Sequence, residues 1–147
     1  MPFRFSLASV LQFRETMERA EEATLQQIFH AIHSVQTQIR QVEENQKTLR
    51  AQREHGLRDR LPAVHLQEWE AQEFKLKTAA AALHEQLRQL EISRQKQLVI
   101  FQNARRDREL LSRIREQRYQ VYQREEARRE QKTVDDLFLM QLVKDKK

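Results

Sequence analysis

The chain has 147 residues, a net charge of +5, one glycine, two prolines and no cysteine. Without cysteine there is no disulfide scaffold and no thiolate metal site, and a single glycine cannot build a glycine-rich phosphate loop. A third of the residues are charged, aromatics are few, and helix-forming Ala, Leu, Glu, Gln, Lys and Arg dominate, which is the balance of long helices or coiled coils rather than of a globular core.

In chain order, Ser6 or Ser9 is placed to cap a first helix. Val10, Phe13, Met17, Ala20 and Thr24 then form a stripe spaced three and four. The stripe slips by one residue where it meets Leu25, a local change of winding that does not end a helix. The stretch from Leu25 to Leu49 organises the rest. Its apolar residues are Leu25, Ile28, Ile32, Val35, Ile39, Val42 and Leu49, with only Gln46 interrupting and polar residues nearly everywhere between. So narrow a stripe is a coiled-coil seam and requires a second helix to cover it.

His55 to Pro62 carries the break. Gly56 sits where a C-terminal cap belongs and Pro62 where a helix starts. The second helix has its own seam: Leu66, Trp69, Leu76, Ala80, Leu83, Leu87 and Leu90. It weakens through Arg94 and Gln97, continues at Phe101 and Ala104, and revives at Leu111, Ile114 and Val121. A short loop between long helices implies an antiparallel hairpin. Folding back about Arg58 pairs Leu49 with Trp69, Val42 with Leu76, Val35 with Leu83, Ile28 with Leu90 and Met17 with Phe101, so the two seams land on each other.

The expected fold is therefore all-α: a long two-helix antiparallel coiled-coil hairpin, read as a single domain, with an overhanging C-terminal helix. Helix 1 spans about 7–54, the loop about 55–62, helix 2 about 63–132 and a tail about 133–147, with boundary errors of a few residues. Helix 1 runs out opposite about Leu111, and the overhang is dense in Arg and Glu at helical spacings worth only ~0.2–0.5 kcal/mol per pair. A short apolar burst, Val134 to Val143, and a basic ending follow. A two-helix seam buries each residue only partly, so the free protein is expected to be marginally stable and completed by a partner. No apolar run approaches the ~20 residues that span a bilayer, and no signal peptide is read.

No catalytic, cofactor-binding or metal-binding set emerges. His30 and His33 stand at i, i+3 without further ligands, and a hairpin offers no enclosed site for a nucleophile and base. The expectation is a protein that is not an enzyme. The basic overhang is diluted by glutamate and has only Tyr119 and Tyr122 for stacking, so no specific nucleic acid is expected. The informative residues are apolar ones off the seam. Phe29, Phe74 and the run Leu98-Val99-Ile100-Phe101 cannot all face the partner helix, which makes Phe29, Phe74, Val99 and Ile100 candidates for docking. A second group, Phe3, Phe5 and Leu7, is expected near the stretch from Leu111 to Arg118.

Two stretches carry a family resemblance. The first is Phe3-Arg4-Phe5-Ser6-Leu7-Ala8-Ser9-Val10-Leu11 followed by Arg14, Glu15 and Glu18; the second is Arg129-Glu130-Gln131-Lys132 leading to Asp135 and Asp136. Together they resemble the FliJ family of flagellar type III export proteins, while the middle is generic coiled coil and the apolar ending departs from the charged ending of the family. The resemblance implies a cytoplasmic, stalk-like coiled coil, peripherally associated with the inner membrane at the export apparatus. Its partners would be the hexameric export ATPase, the membrane export gate protein and export chaperones. Its setting would be flagellum biogenesis, and hence motility and chemotaxis. It implies that Phe3, Phe5, Leu7, Arg113, Arg115, Arg118, Arg124 and Arg128 meet the ATPase, and that the off-seam apolar residues meet the gate or chaperones. A stalk protein of a virulence secretion system, a structural homodimer and a nucleic-acid-binding coiled coil are the alternatives; the hairpin reading implies a monomer when free.

Overall fold

A computed structural model describes residues 1–59 and 62–146. Two helices make up the fold, α1 (Ala8–Arg58) and α2 (Ala63–Asp145), and they pack against each other as an all-α hairpin. Arg60 and Leu61, part of the expected loop, lie outside the described residues.

The helix ends differ from expectation in three places. Gly56 does not cap α1 but lies inside it, buried, and the helix continues to Arg58 rather than stopping near 54. One interior glycine costs only about 1 kcal/mol, and the last turn closes through the Asp59 amide donating to the His55 carbonyl at 3.1 Å. Neither Ser6 nor Ser9 caps the start. The Ser6 hydroxyl accepts from the Arg118 guanidinium at 2.7 Å, Ser9 is already helical, and the first turn closes through Ala8 N–H to Phe5 O at 3.1 Å. Finally, the expected tail is helix: α2 runs on past 132 to Asp145. Thr133 to Asp145 contains neither glycine nor proline, so nothing in it stops the helix.

By contacts the chain divides into two compact units. The first is Met1–Arg19 with Gln102–Lys147, the second Ala20–Phe101.

The second unit contains the organising seam. Leu25, Ile32, Val35, Ile39 and Leu49 are buried, while Ile28, Val42 and Gln46 are half-buried on the same line. The α2 side is less enclosed: Leu66, Trp69, Leu76, Ala80, Leu83, Leu87 and Leu90 are all half-buried. No side chain of the described residues is fully enclosed. That follows from having only two layers, because each seam residue is covered from one side. Polar groups close both ends of this unit. The Arg53 guanidinium meets Glu73 at 3.3 Å. The Gln97 amide donates to the Glu21 backbone carbonyl at 3.1 Å and to its carboxylate at 2.5 Å, which satisfies a buried polar side chain.

The first unit corrects the expected stripe. Val10, Phe13 and Met17 are exposed, as are Ala20 and Thr24 at the start of the second unit. The buried or half-buried line is instead Leu11, Arg14 and Glu18. Together with Glu21 and Leu25, these positions form an unbroken three-four series along α1, so there is no slip. The line was hidden because its residues are charged. They are matched from α2: Arg14 meets Asp107 at 3.4 Å, and Glu18 meets Arg108. On α2, Ala104, Leu111 and Ile114 are half-buried as expected, but Val121 is half exposed.

Candidate functional site

The N-terminal motif and the arginines of α2 come together in the first unit. Residues 1–5 are not helical and lie along α2. Phe3 packs edge-on to Tyr119, with ring centroids 5.2 Å apart, and tilted to Tyr122 at 5.5 Å. Tyr119 and Tyr122 stand one turn apart, 6.4 Å between centroids, so a single ring bridges both. The Tyr122 hydroxyl donates to the Met1 carbonyl. Phe5 is buried, and the Arg118 guanidinium covers its ring at 5.4 Å while donating to Ser6. Leu7 is half-buried. The segment thus reaches Tyr122, two to three turns beyond the Leu111 at which helix 1 was expected to run out. The missed signal was legible: two aromatics at i, i+2 in an extended segment, and two tyrosines at i, i+3 on a helix. Aromatic contacts of this kind contribute about 0.5–1.5 kcal/mol each.

Around this clasp the candidate arginines remain available. Arg113, Arg115, Arg124 and Arg128 are exposed. Among the described residues none of the four lies within ion-pair distance of a carboxylate, unlike Arg105 with Glu109 and Arg129 with Glu126. Arg118 differs, since its guanidinium is held by Phe5 and Ser6. From Ala127 to Lys146 every residue of α2 is exposed.

One ion pair in this unit has a resolved electrostatic signature. Hydrogen bonding to Arg108 holds the Glu18 carboxyl below the ordinary glutamate range, against a smaller opposing effect of burial. The same bond raises the Arg108 guanidinium. In the second unit, the exposed Glu85 carboxyl is lowered to about 2 by hydrogen bonds from Arg88 and then Gln89 on the same helix.

The off-seam apolar candidates all lie in the second unit and are exposed: Phe29, Val99 and Ile100 to about half, Phe74 to 71%. They do not make one surface. Phe74 and Val99 are both on α2, and the 25 residues between them correspond to ~38 Å of helix. Sequence reasoning did not identify a recess of about 300 Å³ where Leu49 meets Trp69, bordered by Gln46, Arg50, Arg53, Glu73 and Lys77.

Among the described residues no group of three or more His, Cys, Asp or Glu is placed to hold a metal ion. Nor, among the described residues, is any helix long and apolar enough to cross a membrane. A family model described as "Flagellar FliJ protein" matches residues 3–147. No curated protein and no solved structure gives a significant match.

Proposed function

Because this chain belongs to the flagellar FliJ family, a family of non-enzymatic flagellar export components, we propose that it acts as the stalk of the export ATPase. In this reading the first unit enters the hexameric ring, and the off-seam apolar residues of the second meet the membrane export gate and export chaperones. The protein then works in the cytoplasm, held peripherally at the inner membrane by these partners.

The observation that carries the reading is the makeup of the first unit. The aromatic clasp of Phe3, Phe5, Tyr119 and Tyr122 fixes the N-terminal motif on α2. Arg113, Arg115, Arg124 and Arg128 are left facing solvent without carboxylate partners of their own. A ring interior with acidic and polar loops complements such a surface. The mechanism is allosteric: one asymmetric ligand in a ring of like subunits stabilises the subunit states that it contacts best, and ATPase turnover changes with their populations.

The test is retention of the hexameric export ATPase in a pull-down, followed by ATPase stimulation at low and physiological salt. Single exposed ion pairs are worth only ~0–1 kcal/mol, so Arg113, Arg115, Arg118, Arg124 and Arg128 are replaced together by glutamine. Wild-type stimulation is expected to fall as salt screens the contacts; the variant is expected to stimulate weakly and with little salt dependence. Full stimulation by the variant, with loss instead on replacing Arg58, assigns ring entry to the connection between the helices.

A further inference from the structure

The end of α2 presents an apolar surface that no other described residue covers. Leu137, Phe138, Leu139, Met140, Leu142 and Val143 are 41–66% exposed. Four of them are consecutive, and successive residues step by ~100° around an α-helix, so apolar side chains occupy its whole circumference. A helix apolar all round is a helix meant to be covered. The seam of the hairpin does not supply the cover.

The flanking charges identify what does. Asp135 and Asp136 precede the apolar turns in the sequence; Lys144, Lys146 and Lys147 follow them, diluted by Asp145. Asp135 is bonded only to a neutral neighbour, Gln131, at 3.0 Å. Among the described residues, the ion pairs of α2 end at Arg129–Glu126. Among the described residues, then, neither the acidic nor the basic end forms an ion pair. Two such helices laid antiparallel about Leu139 and Met140 bring the acidic end of each beside the basic end of the other. Parallel pairing would set like charges together. An anionic lipid surface is a poorer match, because Asp135, Asp136 and Asp145 offset the lysines.

We propose that two copies of this chain pair antiparallel through residues 134–145 of α2. The seam of each hairpin is closed within its own chain and takes no part. Two helical stretches of this length bury less than the ~1,200 Å² at the low end of specific interfaces, so the pair is weak and its population rises with concentration. It goes beyond the stalk reading and does not depend on it, since self-association is measured without the ATPase.

Sedimentation equilibrium of the full chain up to about 100 μM tests the pairing. The expected result is a reversible monomer–dimer equilibrium. Leu139→Glu with Met140→Glu abolishes it while far-UV circular dichroism is unchanged. Asp135→Lys with Asp136→Lys weakens it about fivefold, and adding Lys144→Asp and Lys146→Asp restores it. The absence of cysteine allows a geometric check. Leu139→Cys is expected to cross-link to itself through a short bis-maleimide and Lys146→Cys is not, because antiparallel copies place the two 146 positions ~20 Å apart along the axis. A strict monomer at every concentration overturns the proposal. So does cross-linking at 146 in preference to 139. Wild-type binding to phosphatidylserine vesicles without self-association also overturns it and assigns the surface to lipid.

Discussion

Arg108 and Glu18 form a two-bond ion pair on the seam of the first unit: Nε donates to Oε2 at 2.6 Å and Nη2 donates to Oε1 at 3.1 Å. The two side chains retain 27% and 16% of their exposure. A forked pair this enclosed fixes which turn of α2 lies beside which turn of α1, because sliding by one turn leaves both charges unpaired in a place that water reaches poorly. Removing one partner is then worse than removing both. Glu18→Ala is expected to lower stability by about 1–3 kcal/mol, the cost of stranding a charged donor. Glu18→Leu with Arg108→Leu is expected to recover most of the loss or exceed the wild type. Urea unfolding of the four-member cycle gives the coupling energy; additive single losses would mean the pair contributes nothing as a pair.

The same pair sets a pH dependence. Hydrogen bonding to Arg108 keeps the Glu18 carboxyl below its ordinary value, so the folded state holds the ionised form more tightly than the unfolded chain does. The stabilisation is fully present above the unfolded glutamate value of ~4.3 and is lost as pH falls through the lowered folded value. The thermal midpoint is expected to be flat from neutral pH to about pH 5 and to drop below that. Glu18→Gln removes part of the acid slope. Glu85→Gln is expected to change it little, because Glu85 is exposed and solvent screens its hydrogen bonds to Arg88 and Gln89.

Sequence pattern located what apolar periodicity can locate. Leu25 to Leu49 reads as a seam because its residues are apolar and its neighbours polar, and the hairpin follows from needing a cover for it. The first three turns of α1 read wrongly for the same reason. Val10, Phe13 and Met17 outscore Leu11, Arg14 and Glu18 in hydrophobicity, but the charged line is the one that meets complementary charge on α2. A single helix cannot reveal that match; it exists only once Asp107 and Arg108 are opposite. Gly56 misled in another way, since a glycine tolerated at a buried helical position looks, in sequence, like a cap. In the candidate site, the approach of Phe3 and Phe5 to α2 is legible in the sequence, and so is the i, i+3 spacing of Tyr119 and Tyr122; which ring the tyrosines receive is not, because that match exists only once Phe3 lies on α2.

The corrected seam makes a paired prediction. Val35 is the most enclosed residue of the core, at 3% exposure. Val35→Asp places an unpaired carboxylate there and is expected to cost about 3 kcal/mol or more, enough to melt a two-helix hairpin of marginal stability. Met17→Asp, on the stripe that proved to be exposed, is expected to stay within about 1 kcal/mol of wild type. Circular dichroism melts compare the two. Equal damage from both would restore Met17 to the seam and remove the charged line from it.

Phe74 stands on the outer side of α2, far more exposed than any residue of the seam. Nothing in the hairpin uses its ring, and alanine is the better helix former. Phe74→Ala is therefore expected to leave helix content intact and the thermal midpoint unchanged or slightly raised. An exposed aromatic on a rigid element is the residue type that anchors protein interfaces, where truncation typically costs about 1–3 kcal/mol, or roughly tenfold or more in affinity. If Phe74 anchors the export gate, binding of the gate's soluble portion weakens by that factor while stimulation of the ATPase persists. Val99→Ala serves as the internal comparison, because Val99 lies ~38 Å further along the same helix. A loss confined to Phe74→Ala separates the gate surface from the Val99–Ile100 surface and assigns the latter to chaperones. Equal losses from both require one partner large enough to span them. A loss of helicity in Phe74→Ala would place the ring in the core and end its candidacy as a docking residue.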